Sequence, residues 1–188
     1  TGDSMKMKLR KRSKAGHGRY IKNIVYGGID GIVTTFAVVA GGSGAELSGG
    51  IMLVLGLANL FADGFSMGFG DFISSRAEEE YQHFTKPYNN HKCGPLATKS
   101  LYTFFSFIFF GVFPLLVYVF ARWYPEFIAY SFLAACTITG LTLFGLGALK
   151  VWFTGRNWFY SGIEMVGLGG FSALTAYGIG YFLSGLAR

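Results

Sequence analysis

Five apolar stretches, each long enough to cross a hydrocarbon core, constrain this chain more than any other feature. They run approximately from 21 to 42, 50 to 76, 98 to 121, 126 to 150 and 158 to 185. A core about 30 Å thick takes roughly 20 helical residues to span. No water reaches the backbone amides there, so each crossing segment has to satisfy its own hydrogen bonds as a helix. The 188 residues are 52% hydrophobic with 14% charged, which is too apolar for a soluble domain of that size. Short connections leave no separate soluble unit. The expected fold is an all-α integral membrane protein: a basic amino-terminal arm, residues 1–20, and a single five-helix transmembrane domain, residues 21–188.

A net charge of +6 would suggest a nucleic-acid partner in a soluble protein. Here its placement answers a question of orientation. Of the sixteen basic side chains, eight precede span one, four lie between spans two and three, and two lie between spans four and five, leaving Arg122 and Arg188 on the other side. Such asymmetry puts the amino terminus on the cytosolic or matrix-like face and the carboxyl terminus across the membrane. The arm from Met5 to Lys22 reads as a topogenic flank, or as what remains of a transit peptide. Cys93 and Cys136 fall at different depths and are not expected to pair.

The second apolar stretch contains NLFADGFSMGFGDFISS. On a helix, Asn59, Asp63, Met67 and Asp71 recur every four residues, so an amide, two carboxylates and a thioether form a slowly winding stripe. A stripe of this kind suits a cation path. Span one places Asp30 roughly 13 Å from its start at the helical rise, close to the midplane, with Asn23 and Thr34 on the same face. A carboxylate there costs about 2.5 to 3.5 kcal/mol on insertion scales, so it faces protein or water, either as a functional group or as a hydrogen-bonded structural one. Met67 fits core packing, or, beside an Asp, a borderline divalent metal such as Fe²⁺ better than Mg²⁺ or Ca²⁺. Gly64 and Gly68 make a GxxxG pair that admits another helix, from the same chain or a second copy.

The remainder of the chain reads more quietly. Glu78, Glu79 and Glu80 with His83 form either a cytosolic mouth that collects cations or a solvated helical face. Pro87 and NNHKCGP end that helix, and His91 with Cys93 make a poor metal site without a second pair of ligands. Span three is aromatic and reads as a lipid-facing scaffold kinked at Pro114. Span four carries Ala134, Thr137, Gly140, Thr142 and Gly145 as its expected close-packing positions. Glu164 of span five suits either an ion pair with Arg156 or Lys150 or a place on the path. The span interiors hold Asp30, Asp63, Asp71 and Glu164 with no lysine or arginine, and uncompensated carboxylates in a low dielectric carry protons or cations. No nucleophile is paired with histidine and no phosphate-binding glycine loop follows a strand, so an enzyme is not expected, nor is a permanently bound cofactor.

Three segments carry a family likeness: IVYGGIDGIVTTFAVVAGGSG (Ile24 to Gly44), GLANLFADGFSMGFGDFISSRAEEEY (Gly56 to Tyr81), and a weaker carboxyl-terminal GLGALKVWF with SGIEMVGLGGFSALTAYGIGYFLSG. On these the chain resembles the vacuolar iron transporter family, which includes yeast-type iron and manganese carriers and plant nodulin-like members. The resemblance implies a five-helix protomer, a homodimer with the ion path between the copies, and antiport of Fe²⁺ or Mn²⁺ against protons into a vacuole or other storage compartment. It implies that Asp30 and Met67 carry metal, with Asp63 as the carboxylate of helix two, and the stripe and charge inventory add Asp71 and Glu164 to the pathway.

Members with a mapped path have acids where this chain has Asn23 and Asn59. The best-described members also insert a glutamate-rich metal-binding domain between helices two and three, where this chain has about 20 residues, so it looks like a short form. The alternative reading is a non-transporting structural subunit of a larger membrane complex, for which a transit-type arm would imply the mitochondrial inner membrane. Membrane lipid is a partner in both readings, and nucleic acid in neither.

Overall fold

The computed structural model describes residues 2–85, 96–154 and 157–186, and every regular element among them is helical. Helix α1 runs from Gly2 to Gly44 and α2 from Gly49 to Thr85. Span three is α3, Leu96–Gly111, continued by α4, Phe113–Trp123. A 3-10 turn over Pro125–Tyr130 leads into α5, Ser131–Thr154, and α6 covers Trp158–Leu183. Five segments are long and apolar enough to cross a membrane: Tyr20–Gly44, Gly49–Thr85, Leu96–Trp123, Glu126–Val151 and Trp158–Leu183. The loop with Pro87, His91 and Cys93, and Arg156, lie outside the described residues. Cys136 is a free thiol.

Local chemistry accounts for the ends and the interruption. Between α1 and α2 the amide of Leu47 donates to the carbonyl of Gly42 at 2.9 Å, closing α1 while Glu46 takes a left-handed φ of 58°. The helix of span three is interrupted at Val112, just before Pro114. Proline has no amide to donate and its ring crowds the preceding turn, so the ladder breaks there. It resumes at once, since Leu115 and Leu116 both donate to the carbonyl of Val112. Asn157 begins α6 by accepting from the amide of Phe159 at 3.4 Å.

Lipid is as apolar as a leucine side chain, so burial alone does not pull these helices together and close van der Waals contact has to. One such contact is between α1 and α3. A methyl group on Gly27 would meet the carbonyl oxygen of Thr103 at 2.5 Å, and one on Gly31 would overlap that of Phe107. The two backbones therefore touch without side chains between them, and the hydroxyl of Ser106 reaches the carbonyl of Ile24 at 2.5 Å across the seam. Around this seam Phe36 and Val39 of α1, Leu60 of α2, Phe107 of α3, Leu115 and Tyr118 of α4 and Ala135 of α5 form the core.

Two sequence expectations change. Span three is not a lipid-facing scaffold: 44% of its most apolar window is buried, as much as in span one, against 6% in span five. Aromatic residues populate both its buried and exposed faces, which hides the packing face in the sequence. Span four does not pack on Gly140 and Gly145, whose missing side chains face open space. It buries Ser131, Ala135, Thr139 and Leu143 instead, a four-residue repeat offset from the small-residue positions.

Candidate functional site

Helices α1 and α2 are antiparallel and joined by a tight turn, so residues equally far from it lie at equal depth. Asp30 and Asp63 are each 14 residues from the helix ends at that turn, Gly44 and Gly49. Both side chains are half-buried, and the two carboxylates are close enough to repel one another. Within α2 the Nδ2 of Asn59 donates to Oδ2 of Asp63 at 2.9 Å. The hydroxyl of Thr34 does not reach the Asp30 carboxylate; it donates to the Asp30 backbone carbonyl at 2.8 Å. Among the described residues no donor meets the carboxylate of Asp30. Two acids thus lie at one depth in mid-span, one of them bonded by a single amide, an arrangement that a proton or a cation would complete.

A second polar level lies about two helical turns nearer the end that carries the basic residues, hereafter the basic end. There the Nδ2 of Asn23 donates to Oδ2 of Asp71 at 2.7 Å and to Oγ1 of Thr103 at 2.9 Å, while Thr103 donates to the same Asp71 oxygen at 3.1 Å. Three helices meet in this ring. Met67 sits between the levels, half-buried and packed against the core, so its thioether serves packing whatever else it does. A methyl on Gly64 would strike Ile108 and one on Gly68 would meet Phe104, so the GxxxG pair packs on α3 of the same chain.

Thr103 was not among the sequence candidates. Its signal was there, in Ser100, Thr103 and Ser106 recurring every three residues within LATKSLYTFFSFIFFG, all of them buried. Aromatic neighbours obscured it. Glu78, Glu79, Glu80 and His83 lie on the projecting end of α2, where Arg76 pairs with Glu80 at 3.0 Å and Gln82 donates to Glu78 at 3.1 Å. Consecutive residues fan about 100° apart around a helix, and among the described residues no three His, Cys, Asp or Glu side chains converge to hold a metal. Glu78, Glu80 and His83 are exposed there. Glu164 is exposed on α6, and no described residue forms an ion pair or hydrogen bond with it.

Five apolar helices, with Asp30, Asp63 and Asp71 gathered on two of them and no basic side chain among their bonded partners in the described residues, define a multi-pass helical membrane protein built around a polar seam. The chain belongs to the VIT family, whose model matches residues 21–93 and 89–181. The two matches meet between α2 and α3, where a longer insert was expected to be missing. The chain is 30% identical to a protein of Toxoplasma gondii named vacuolar iron transporter, over 87% of this chain and 74% of that one. It is 27% identical to a vacuolar iron transporter of Plasmodium berghei over 87% of this chain and 82% of the relative. A shorter match, 38% identity over 34% of this chain and 26% of the relative, is to vacuolar iron transporter 1 of Arabidopsis thaliana.

Proposed function

We propose that this chain is a secondary carrier that moves Fe²⁺, and Mn²⁺, out of the cytosol into a vacuole or other storage organelle in exchange for protons. The observation that carries this reading is the juxtaposition of Asp30 and Asp63 in mid-span without a compensating positive group. Such a pair is at ease with a proton or a metal and strained with neither, which is what exchange of one for the other requires. Met67, one turn from Asp63, adds a soft donor that favours a borderline metal over Mg²⁺ or Ca²⁺. The names of the relatives support the choice of iron. The basic end is the cytosolic one, so metal passes Asp71 before it reaches the mid-span pair.

In this reading the carrier works as a homodimer that completes the metal's coordination shell across a shared seam, since among the described residues of one copy no three ligating side chains converge. The outer faces of α2 and α6 are the exposed surfaces available for it, with 22% and 6% of their apolar windows buried. Each pH unit across the membrane supplies about 1.4 kcal/mol per proton, a useful drive for two-proton exchange.

The test is uptake into liposomes with an acidic interior, following Fe²⁺ and Mn²⁺ together with internal pH. Metal entering as protons leave, lost in Asp30→Asn and reduced in Met67→Ala, is the expected outcome. Well-folded protein without flux, retained in a stable complex with other chains after gentle solubilisation, would establish the structural-subunit reading instead.

A further inference from the structure

We propose that Asn23 and Thr103 are positioning residues that hold Asp71 as a one-oxygen ligand at the cytosolic mouth of the metal path. The proposal rests on the transport reading above and adds two residues to it. Both donors converge on the same atom, Oδ2 of Asp71, at 2.7 Å from Asn23 and 3.1 Å from Thr103. The second amide hydrogen of Asn23 goes to Thr103 at 2.9 Å, which closes the ring and fixes the amide's orientation. Among the described residues no group donates to Oδ1 of Asp71, so that oxygen is left to face an incoming cation.

The anchors themselves are rigid. Thr103 is fully buried, and its backbone lies directly against Gly27 of α1, with no side chain between them. Its hydroxyl has one alternative acceptor, the carbonyl of Lys99 at 3.4 Å, which is the longer of the two. Helix cohesion alone would not call for a carboxylate here, since an amide at position 71 could join α1 to α3 as well. What the carboxylate adds is a charged oxygen in line with Met67 and Asp63, four and eight residues away on the same stripe of α2. Carboxylates that bind metal are commonly held by such outer hydrogen bonds, and losing one costs roughly 10- to 100-fold in affinity or activity.

The experiment measures initial Mn²⁺ uptake over a concentration series in proteoliposomes. Thr103→Val, which keeps the shape and removes the hydroxyl, is expected to raise KM about tenfold with the maximal rate within about twofold, and Thr103→Ser to restore it. In an Asp71→Asn background Thr103→Val is expected to add nothing. An unchanged KM in folded Thr103→Val, or the same tenfold loss persisting without Asp71, overturns the proposal. Should Thr103→Val not fold, Asn23→Ala carries the same expectations.

If wild-type vesicles take up no metal, the transport reading fails separately. The positioning is then read from the infrared carboxylate stretch assigned to residue 71 by difference against Asp71→Asn. A band that shifts in Thr103→Val and returns in Thr103→Ser supports the positioning, and one that stays put overturns it.

Discussion

Asp63 and Asp71 lie two turns apart on α2, yet they are held in opposite ways. Asp63 takes its one hydrogen bond from Asn59 of its own helix and faces a second acid, Asp30, across the seam. Asp71 takes both of its bonds from other helices and faces no acid among its bonded partners. A group bonded within its own helix is free to change its protonation or its ligand without moving the bundle. A group bonded across three helices is fixed by the bundle. On the transport reading proposed above, the mid-span level suits exchange and the basic-end level placement, although both use the same side chain.

The sharpest way to break this contrast is to neutralise the exchanging level. Asp30→Asn with Asp63→Asn is expected to abolish uptake, beyond the roughly 100-fold that marks loss of an outer hydrogen bond, while leaving thermal unfolding no lower because a repulsion is removed. Flux that survives both changes would remove the distinction between the levels. Next in size is Gly31→Val, which drives α1 off the Phe107 carbonyl and displaces both levels at once. A loss of about 3 kcal/mol or more, at the upper end for overpacking, should appear as a lowered unfolding midpoint and an early aggregate peak in gel filtration.

Asp71→Asn should cost uptake about tenfold, chiefly in KM, clearly less than loss of the mid-span pair. Equal losses at the two levels would collapse the comparison. The smallest effect belongs to Glu78→Gln, Glu79→Gln and Glu80→Gln together, expected to change uptake by less than about twofold. The exposed Arg76–Glu80 pair they break contributes about 0.3 to 0.5 kcal/mol, which a melting curve will barely register.

Most of the architecture was legible from residue order. The five spans, the interruption ahead of Pro114 and the shared helical face of Asn59, Asp63, Met67 and Asp71 follow from length, proline chemistry and the 3.6-residue period. What escaped was the choice of faces. In water a helix shows its core side by contrast with polar residues, but in a bilayer core and solvent are both apolar, and the contrast vanishes. Thus aromatic span three, outwardly the greasiest, supplies Thr103 to the polar ring, and the small residues Gly140 and Gly145 of α5 turn their missing side chains to open space. The pairing of Asn23 with Asp71 was equally hidden, because it depends on how far α1 slides along α2.

That slide is fixed by a single rod. From Gly2 to Gly44 α1 is one unbroken helix of 43 residues, about 65 Å at the helical rise, and it bears Asn23 and Asp30 seven residues apart. A stiff rod has one tilt and one roll, so the two residues are geared: any rotation that turns Asp30 away from Asp63 must also pull Asn23 across Asp71. The interruption at Val112 separates the half of span three clasped to α1 from the half that continues as α4. On the transport reading, opening one level while the other stays shut would be a motion for α2 against the α1–α3 pair, with the ring at Asp71 as its catch.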